Sequence, residues 1–215
     1  MNAPRANKRV TLIGPRVGMT AAAFHAHWSG PHAEIAKDLP GLTYYVQNHV
    51  MRTLWQGGQA QDLFLGIAEV MFADPDRLLD TIATWPRRAE LHEDEARFLG
   101  ARIGNWTQHP DNPPRIAHRR MILLLCGASA AAVRDAVQAI SQHAPCHAEP
   151  VLDGDAGAID WIVFVELSPE RIAANSMRQM LSVTGPMLRH VTEVGGSGLA
   201  YLTYTQVNRL PFDRF

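Results

Sequence analysis

Short apolar runs with a period of two alternate along this chain with segments whose apolar residues return every three or four positions. The first pattern marks strands and the second marks amphipathic helices. In the first half it predicts a strand over 8–14, a helix over 21–37, and strands over 42–51 and 63–72. Helices over 75–84 and 87–100 and a strand over 102–108 complete a βαββαβ order. Asp74-Pro75 is a good helix start, because Asp accepts from free amides and Pro tolerates the first helical position.

His109-Pro110-Asp111-Asn112-Pro113-Pro114-Arg115 resists regular structure and reads as a linker. The same order then recurs: a strand at 121–125, an alanine-rich helix over 129–143, strands at 147–153 and 159–165, helices from Pro169 and over 185–193, and a strand over 199–207. Asp74-Pro75-Asp76-Arg77-Leu78 and Ser168-Pro169-Glu170-Arg171-Ile172 both follow an apolar strand and open a helix, the local trace of a repeat. The expected organisation is a first domain over 1–109, a linker over 110–118 and a second domain over 119–215.

Strand 63–72 places Leu63, Leu65, Ile67 and Met71 on one face and Phe64, Ala68, Val70 and Phe72 on the other, so both faces need cover. Helices can cover one face and the sheet of the other half the second. The fold class expected is α+β, with two ferredoxin-like halves forming a pseudo-dimeric α+β barrel within one chain.

With 215 residues, 47% hydrophobic and 19% charged, the chain can build a sizeable core. A net charge of −1 provides no basic field for nucleic acid or acidic membrane surfaces. Cys126 and Cys146 form neither a C-x-x-C pair nor a disulfide framework. The apolar run after the basic N-terminus is too short for a signal peptide, and none reaches the roughly 20 residues that span a bilayer. A cytoplasmic protein is expected.

The densest polar cluster runs from Phe24-His25-Ala26-His27-Trp28-Ser29-Gly30-Pro31-His32 into Tyr44-Tyr45-Val46-Gln47-Asn48-His49. Phe24, His27, Trp28 and Ile35 share a helical face. Gly30-Pro31 disturbs the helix, so the direction of His32 is set by the break. A histidine in a mostly apolar setting suits proton transfer near neutral pH. The plainer alternative is that His27 and His32 satisfy backbone carbonyls or cap the disturbed helix. Glu69 interrupts the apolar row of Leu65, Ile67 and Met71 and is either a tuned acid or base, or a buried carboxylate paired with an Arg of a neighbouring element. Asp94-Glu95 read as a solvated helix face or salt-bridged turn, and Trp28 and Phe98 as core. His25, His27, His32 and His49 lack an i,i+4 ligand pair, so no metal is expected. No G-x-G-x-x-G, P-loop or G-x-S-x-G occurs, which removes support for nucleotide cofactors and a hydrolase triad.

Phe24-x-x-His27-Trp28-x-x-x-His32, Pro40-Gly41-Leu42, Tyr45-x-x-Asn48-His49, Gly66-Ile67-Ala68-Glu69-Val70-Met71-Phe72 and Asp94-Glu95-x-x-Phe98 occur in this order. In them the first half, over about 8–108, resembles the EthD family of the dimeric α+β barrel superfamily. The resemblance implies a ferredoxin-like half whose sheet meets a partner's, and here the second half, without the His-Trp signature, stands in for that partner. Members and relatives include ether-degradation proteins, lactone isomerases, polyketide cyclases or dehydratases and monooxygenases, and more distant barrel relatives bind haem.

The function expected is cofactor-independent acid/base chemistry of isomerase, cyclase or lyase type on a small, partly apolar carbonyl, lactone or aromatic compound. His32 would be the principal acid/base group. His49 or Tyr45 would orient a carbonyl or enolate, Glu69 would relay a proton, and Trp28, Asn48 and His27 would line the substrate. The rival is a noncatalytic small-molecule-binding or accessory protein. Expected partners are a small molecule and, as an open alternative, further copies of the pseudo-dimeric chain. The pocket is expected between the first-half helix and its own sheet, with the equivalent second-half space filled by apolar side chains.

Overall fold

The computed structural model describes residues 7–154, 159–168 and 174–210. The first half runs β1 (Lys8–Pro15), α1 (Ala21–His27), α2 (Ala33–Ala36), β2 (Leu42–Gly57), β3 (Gly66–Phe72), α3 (Leu78–Ala83), α4 (Arg88–Phe98) and β4 (Leu99–Thr107). The second runs β5 (Arg119–Cys126), α5 (Ala130–Ser141), β6 (Cys146–Gly154), β7 (Trp161–Leu167), α6 (Ala174–Glu193) and β8 (Ser197–Arg209). The strands order as β4-β1-β3-β2 and β8-β5-β7-β6, and the two sheets join at β2–β8 and β4–β6 into a closed barrel. Every pairing is antiparallel. The two ferredoxin-like halves of the expected α+β fold are therefore present, and their sheets fuse edge to edge. Closure leaves none of the eight described strands with an unpaired edge.

The alternation of each strand then sorts residues between a lumen and an outer, helix-covered face. Lys8, Val10 and Leu12 of β1 lie opposite Thr107, Asn105 and Ile103 of β4, and Val10 and Leu12 lie opposite Glu69 and Ile67 of β3. One end of the lumen is apolar, with Val10, Leu12, Ile67, Ile122, Leu124, Ile162, Phe164 and Tyr201 in a single buried cluster. The other end is polar. Outside, Val133, Ala136, Ile140, Leu188 and Val191 pack on Leu123, Leu125, Val163, Val165 and Ala200. The second-half layer is thus apolar, as its small-residue helix suggested.

Several element boundaries differ from the sequence reading, β2 for one running on to Gly57. The helix over 21–37 is split by a π-helical turn at Trp28–His32 that contains Pro31. Because Pro lacks the N–H that an α-helix requires there, the turn widens. The strand placed at 63–72 begins at Gly66. Phe64 turns to the lumen cluster while Leu65 packs with the outer aromatic layer, so the expected alternation through 63–65 fails. The 75–84 helix opens as a 3-10 turn at Pro75–Arg77, with the Asp74 side chain accepting from the Arg77 amide as its cap. Finally, α6 runs unbroken through Gly185-Pro186, where a separate helix over 185–193 was expected. The helix start placed at Pro169 lies outside the described residues.

Candidate functional site

α1 forms where Thr20 caps the Ala23 amide, and it buries Phe24 against Trp28, Phe98 and Ile13. Trp28 lies over Gly66, where a Cβ would come within 2.5 Å of its ring. These side chains fill the space between helix and sheet. The histidines occupy the margins of this aromatic layer in two separate pairs.

In the first pair, His27 Nε2 donates to Asp94 Oδ1 at 2.7 Å and His32 Nδ1 donates to Asp94 Oδ2 at 2.8 Å. On a regular helix, residues five apart point in different directions. The π-turn, closing i to i+5, brings His27 and His32 into line above one carboxylate. Both rings lie against Phe98, at 4.9 and 5.0 Å between centroids. Asp94 is almost fully buried, whereas the His27 and His32 side chains stay 21% and 11% exposed, so solvent or a substrate meets the imidazoles first. Burial lowers the pKa of His32, with Asp94 pulling in the opposite direction. Neutral His32 with its Nδ1 proton on Asp94 presents Nε2 as an acceptor, the arrangement of a general base.

In the second pair, His25 Nδ1 and His49 Nδ1 are 3.0 Å apart, so one ring donates and the other accepts. Burial lowers the pKa of both rings, and the neighbouring His25 helps bring His49 to about 4. His49 also stacks near Trp28 and Tyr204. Tyr45, on the same outer face, receives a hydrogen bond from Gln47 Nε2 at 2.6 Å, and Gln47 in turn holds the Trp28 carbonyl at 2.8 Å. Burial drives the Tyr45 phenol well above its ordinary pKa.

Asn48 and Glu69 face the other way, into the lumen. Asn48 follows Gln47 and precedes His49 on a strand, so its side chain must take the opposite face. Asn48 Nδ2 donates to Glu69 Oε1 at 2.7 Å, and its Oδ1 accepts from Thr205 at 3.0 Å and Arg120 at 3.3 Å. Glu69 pairs with Arg120 at 2.5 Å and Lys8 at 2.8 Å. Burial alone would raise its pKa, but Arg120 and Lys8 prevail and hold it at about 2. Glu69 is therefore the buried, paired carboxylate of the two sequence alternatives, and it is ionised at neutral pH.

Lys8 also meets Glu149 at 2.5 Å, Arg120 meets Glu166 at 2.8 Å, and His109 and His147 approach Glu149 Oε1 at 2.7 and 3.2 Å. This network joins both halves through the lumen. In β7 Val163 belongs to the outer face, and the lumen carboxylate of that strand is Glu166. His109, Glu149 and His147 offer a ligand set with atoms within 4.8 Å of one another. The Lys8 ammonium already sits on Glu149 Oε1 and opposes a cation there. The four histidines singled out in the sequence do not converge on one point, since His27 and His32 meet Asp94 while His25 and His49 meet each other. Among the described residues the layers as packed do not fit a haem-sized group: Phe24, Trp28 and Phe98 fill the first, and Leu123, Val163, Val165 and Val191 fill the second.

Asp94 is the residue that sequence reasoning set aside. Its signal was present, because Leu91, Asp94 and Phe98 fall on one helical stripe and all three are buried. A carboxylate on a buried stripe requires a partner. Lys8, Arg120, Glu149 and His109 had no comparable signal, being isolated charges in strands or a linker.

Residues 16–102 match the EthD domain family. No curated protein matches the chain by sequence. Among solved structures the chain is similar to an anthrone oxidase-like protein, at 10% identity and a TM-score of 0.57 with 96% of each chain covered. It is also similar to a mutant chlorite dismutase from Candidatus Nitrospira defluvii, at 7% identity and a TM-score of 0.51, covering 94% of this chain and 91% of that one. At such identities the likeness is one of fold. No helix among the described residues is long and apolar enough to cross a membrane. Residues 16–102 of this chain match the EthD domain family, and the half that carries them is closed into an α+β barrel by the second half of the same chain.

Proposed function

We propose that the protein is a cofactor-independent acid/base enzyme, of isomerase, cyclase or lyase type, acting on a small, partly apolar carbonyl, lactone or aromatic compound. The observation that carries this reading is the single buried Asp94 carboxylate shared by His27 and His32. Asp94 orients both rings, so His32 Nε2 is free to take a proton α to a carbonyl and to return it to another carbon of the resulting enolate, while His27 is held on the same carboxylate at the more exposed side. Phe98, packed in one cluster with Trp28, supplies an apolar wall against both rings, and burial lowers the pKa of His32. Tyr45 and His49 are positioning residues beneath that wall, and Asn48 and Glu69 support the sheet from the lumen.

The EthD match agrees with small-molecule processing. In this reading residues 1–109 carry the chemistry, 110–118 link the halves, and 119–215 supply the partner sheet. The test is a turnover screen of lactones, 1,3-diketones and aromatic ketones with wild type, His32→Ala and Asp94→Asn. His32→Ala is expected to lower turnover roughly 10²–10⁴-fold in a folded protein. Unchanged turnover in folded His32→Ala would remove His32 from the mechanism. Ligand binding without turnover of any compound would favour the noncatalytic binding protein instead.

A further inference from the structure

The apolar end of the barrel does not close on itself. Leu12, Phe64, Ile103, Leu124 and Leu199 surround a cavity of about 260 Å³ that opens under the β2–β3 connection. That connection is tied across the mouth by Asp62, which accepts from Tyr201 Oη at 2.9 Å and from Thr53 Oγ1 at 2.5 Å. The cavity is therefore held open by fixed walls and is not left by a loose loop. Asn105 lines it from β4. By strand alternation Asn105 sits between Ile103 and Thr107, at the level where the apolar cluster gives way to the charged network.

Asn105 is 2% exposed, and its Nδ2 is a buried donor with no hydrogen-bond partner. An unpaired buried amide is costly, and a largely apolar cavity holds water poorly. The charged groups farther down the lumen are satisfied by one another and make no demand on an occupant. We propose that the barrel mouth is a small-molecule site, separate from the Asp94 histidines, for an uncharged monocyclic or short-chain apolar compound bearing one acceptor oxygen. Asn105 Nδ2 donates to that oxygen and the aliphatic walls hold the apolar body. An apolar cavity of about 150 Å³ takes benzene, so this one holds a ring with a short substituent. A carboxylate or ammonium is excluded because nothing among the described lining residues would compensate its charge.

Cys126 provides the readout, since it lines the same cavity and follows Leu124 on the lumen side of β5. Cys146 lies outside the lumen, donates to the Val137 carbonyl at 3.4 Å, and has its thiol pushed up to about 11 by burial. It serves as the internal reference. Alkylation by iodoacetamide is followed by peptide mass spectrometry, with acetophenone as the probe and toluene as the same ring without an acceptor. For a Kd of about 1 mM, about 2 mM acetophenone slows Cys126 alkylation about three-fold. Cys146 is unaffected and toluene protects less. Ala60→Phe, which fills the mouth from the connecting loop, abolishes the protection, and Asn105→Leu reduces acetophenone to the level of toluene. Equal Cys126 rates with and without acetophenone, equal protection by toluene, or protection surviving in Ala60→Phe would each overturn the proposal. None of these outcomes involves His27, His32 or Asp94, so the enzyme reading stands or falls separately.

Discussion

Arg120 ties the two halves of the barrel together, and replacing it by Met tests whether the lumen network stabilises the closed form. Its guanidinium reaches Glu69 Oε1 at 2.5 Å, Glu166 Oε1 at 2.8 Å and Asn48 Oδ1 at 3.3 Å. Met conserves much of the aliphatic length and removes the charge. Glu69 then keeps Lys8 at 2.8 Å and Asn48 at 2.7 Å, whereas Glu166 retains, among the described residues, only the Ala117 amide at 2.6 Å. Removing one member of a buried ion pair costs about 3–5 kcal/mol, because the other charge is left uncompensated. Burial already raises the pKa of Glu166, so that carboxyl can relieve part of the cost by taking a proton. We therefore expect a loss near the lower limit, about 3 kcal/mol. For a chain of this size that corresponds to a fall in Tm of about 6–12 °C. Urea unfolding followed by far-UV circular dichroism measures it. Adding Glu166→Leu removes the stranded carboxylate and should recover about 1–2 kcal/mol. A loss below about 1 kcal/mol for Arg120→Met, or no recovery in the double variant, would refute the view that unpaired charge in the lumen sets the cost.

Three further outcomes follow from the same geometry. Glu69 has a folded pKa of about 2 against an ordinary 4.5, so its contribution to stability is complete above 4.5 and is lost as pH falls toward 2; acid titration of the unfolding midpoint should decline through that window, and the decline should shrink in Glu69→Gln. His49, held at about 4, should remain neutral at pH 5.5, and an NMR titration of its ring showing a midpoint near 6.5 would contradict its burial beside His25. Gly66→Ala places a methyl 2.5 Å from the Trp28 ring, so it should cost about 1–3 kcal/mol and alter Trp fluorescence, while unchanged stability would show that Trp28 is free to move.

Much of this architecture could be read locally. The apolar runs at β1, β5 and β7 and the capped start at Asp74 depend on neighbours a few residues away, and so does the apolar stripe of α5. Local periodicity suffices for such elements. The order βαββαβ and its recurrence followed from them. The tertiary structure decided which residues share a site. Tyr45, Asn48, His49 and Glu69 look like one cluster in sequence, but strand alternation sends Asn48 and Glu69 into the lumen and Tyr45 and His49 beneath the helices. Pro31 announced a break in its helix, yet only the resulting π-turn makes His27 and His32 reach the same Asp94, 67 and 62 residues away. The charges in the lumen lie farther apart still, with Lys8 meeting Glu149 across 141 positions. Local propensity carries no information about such pairings. They exist because the sheets of the two halves close on each other, and a buried charge remains buried only where closure brings it a partner.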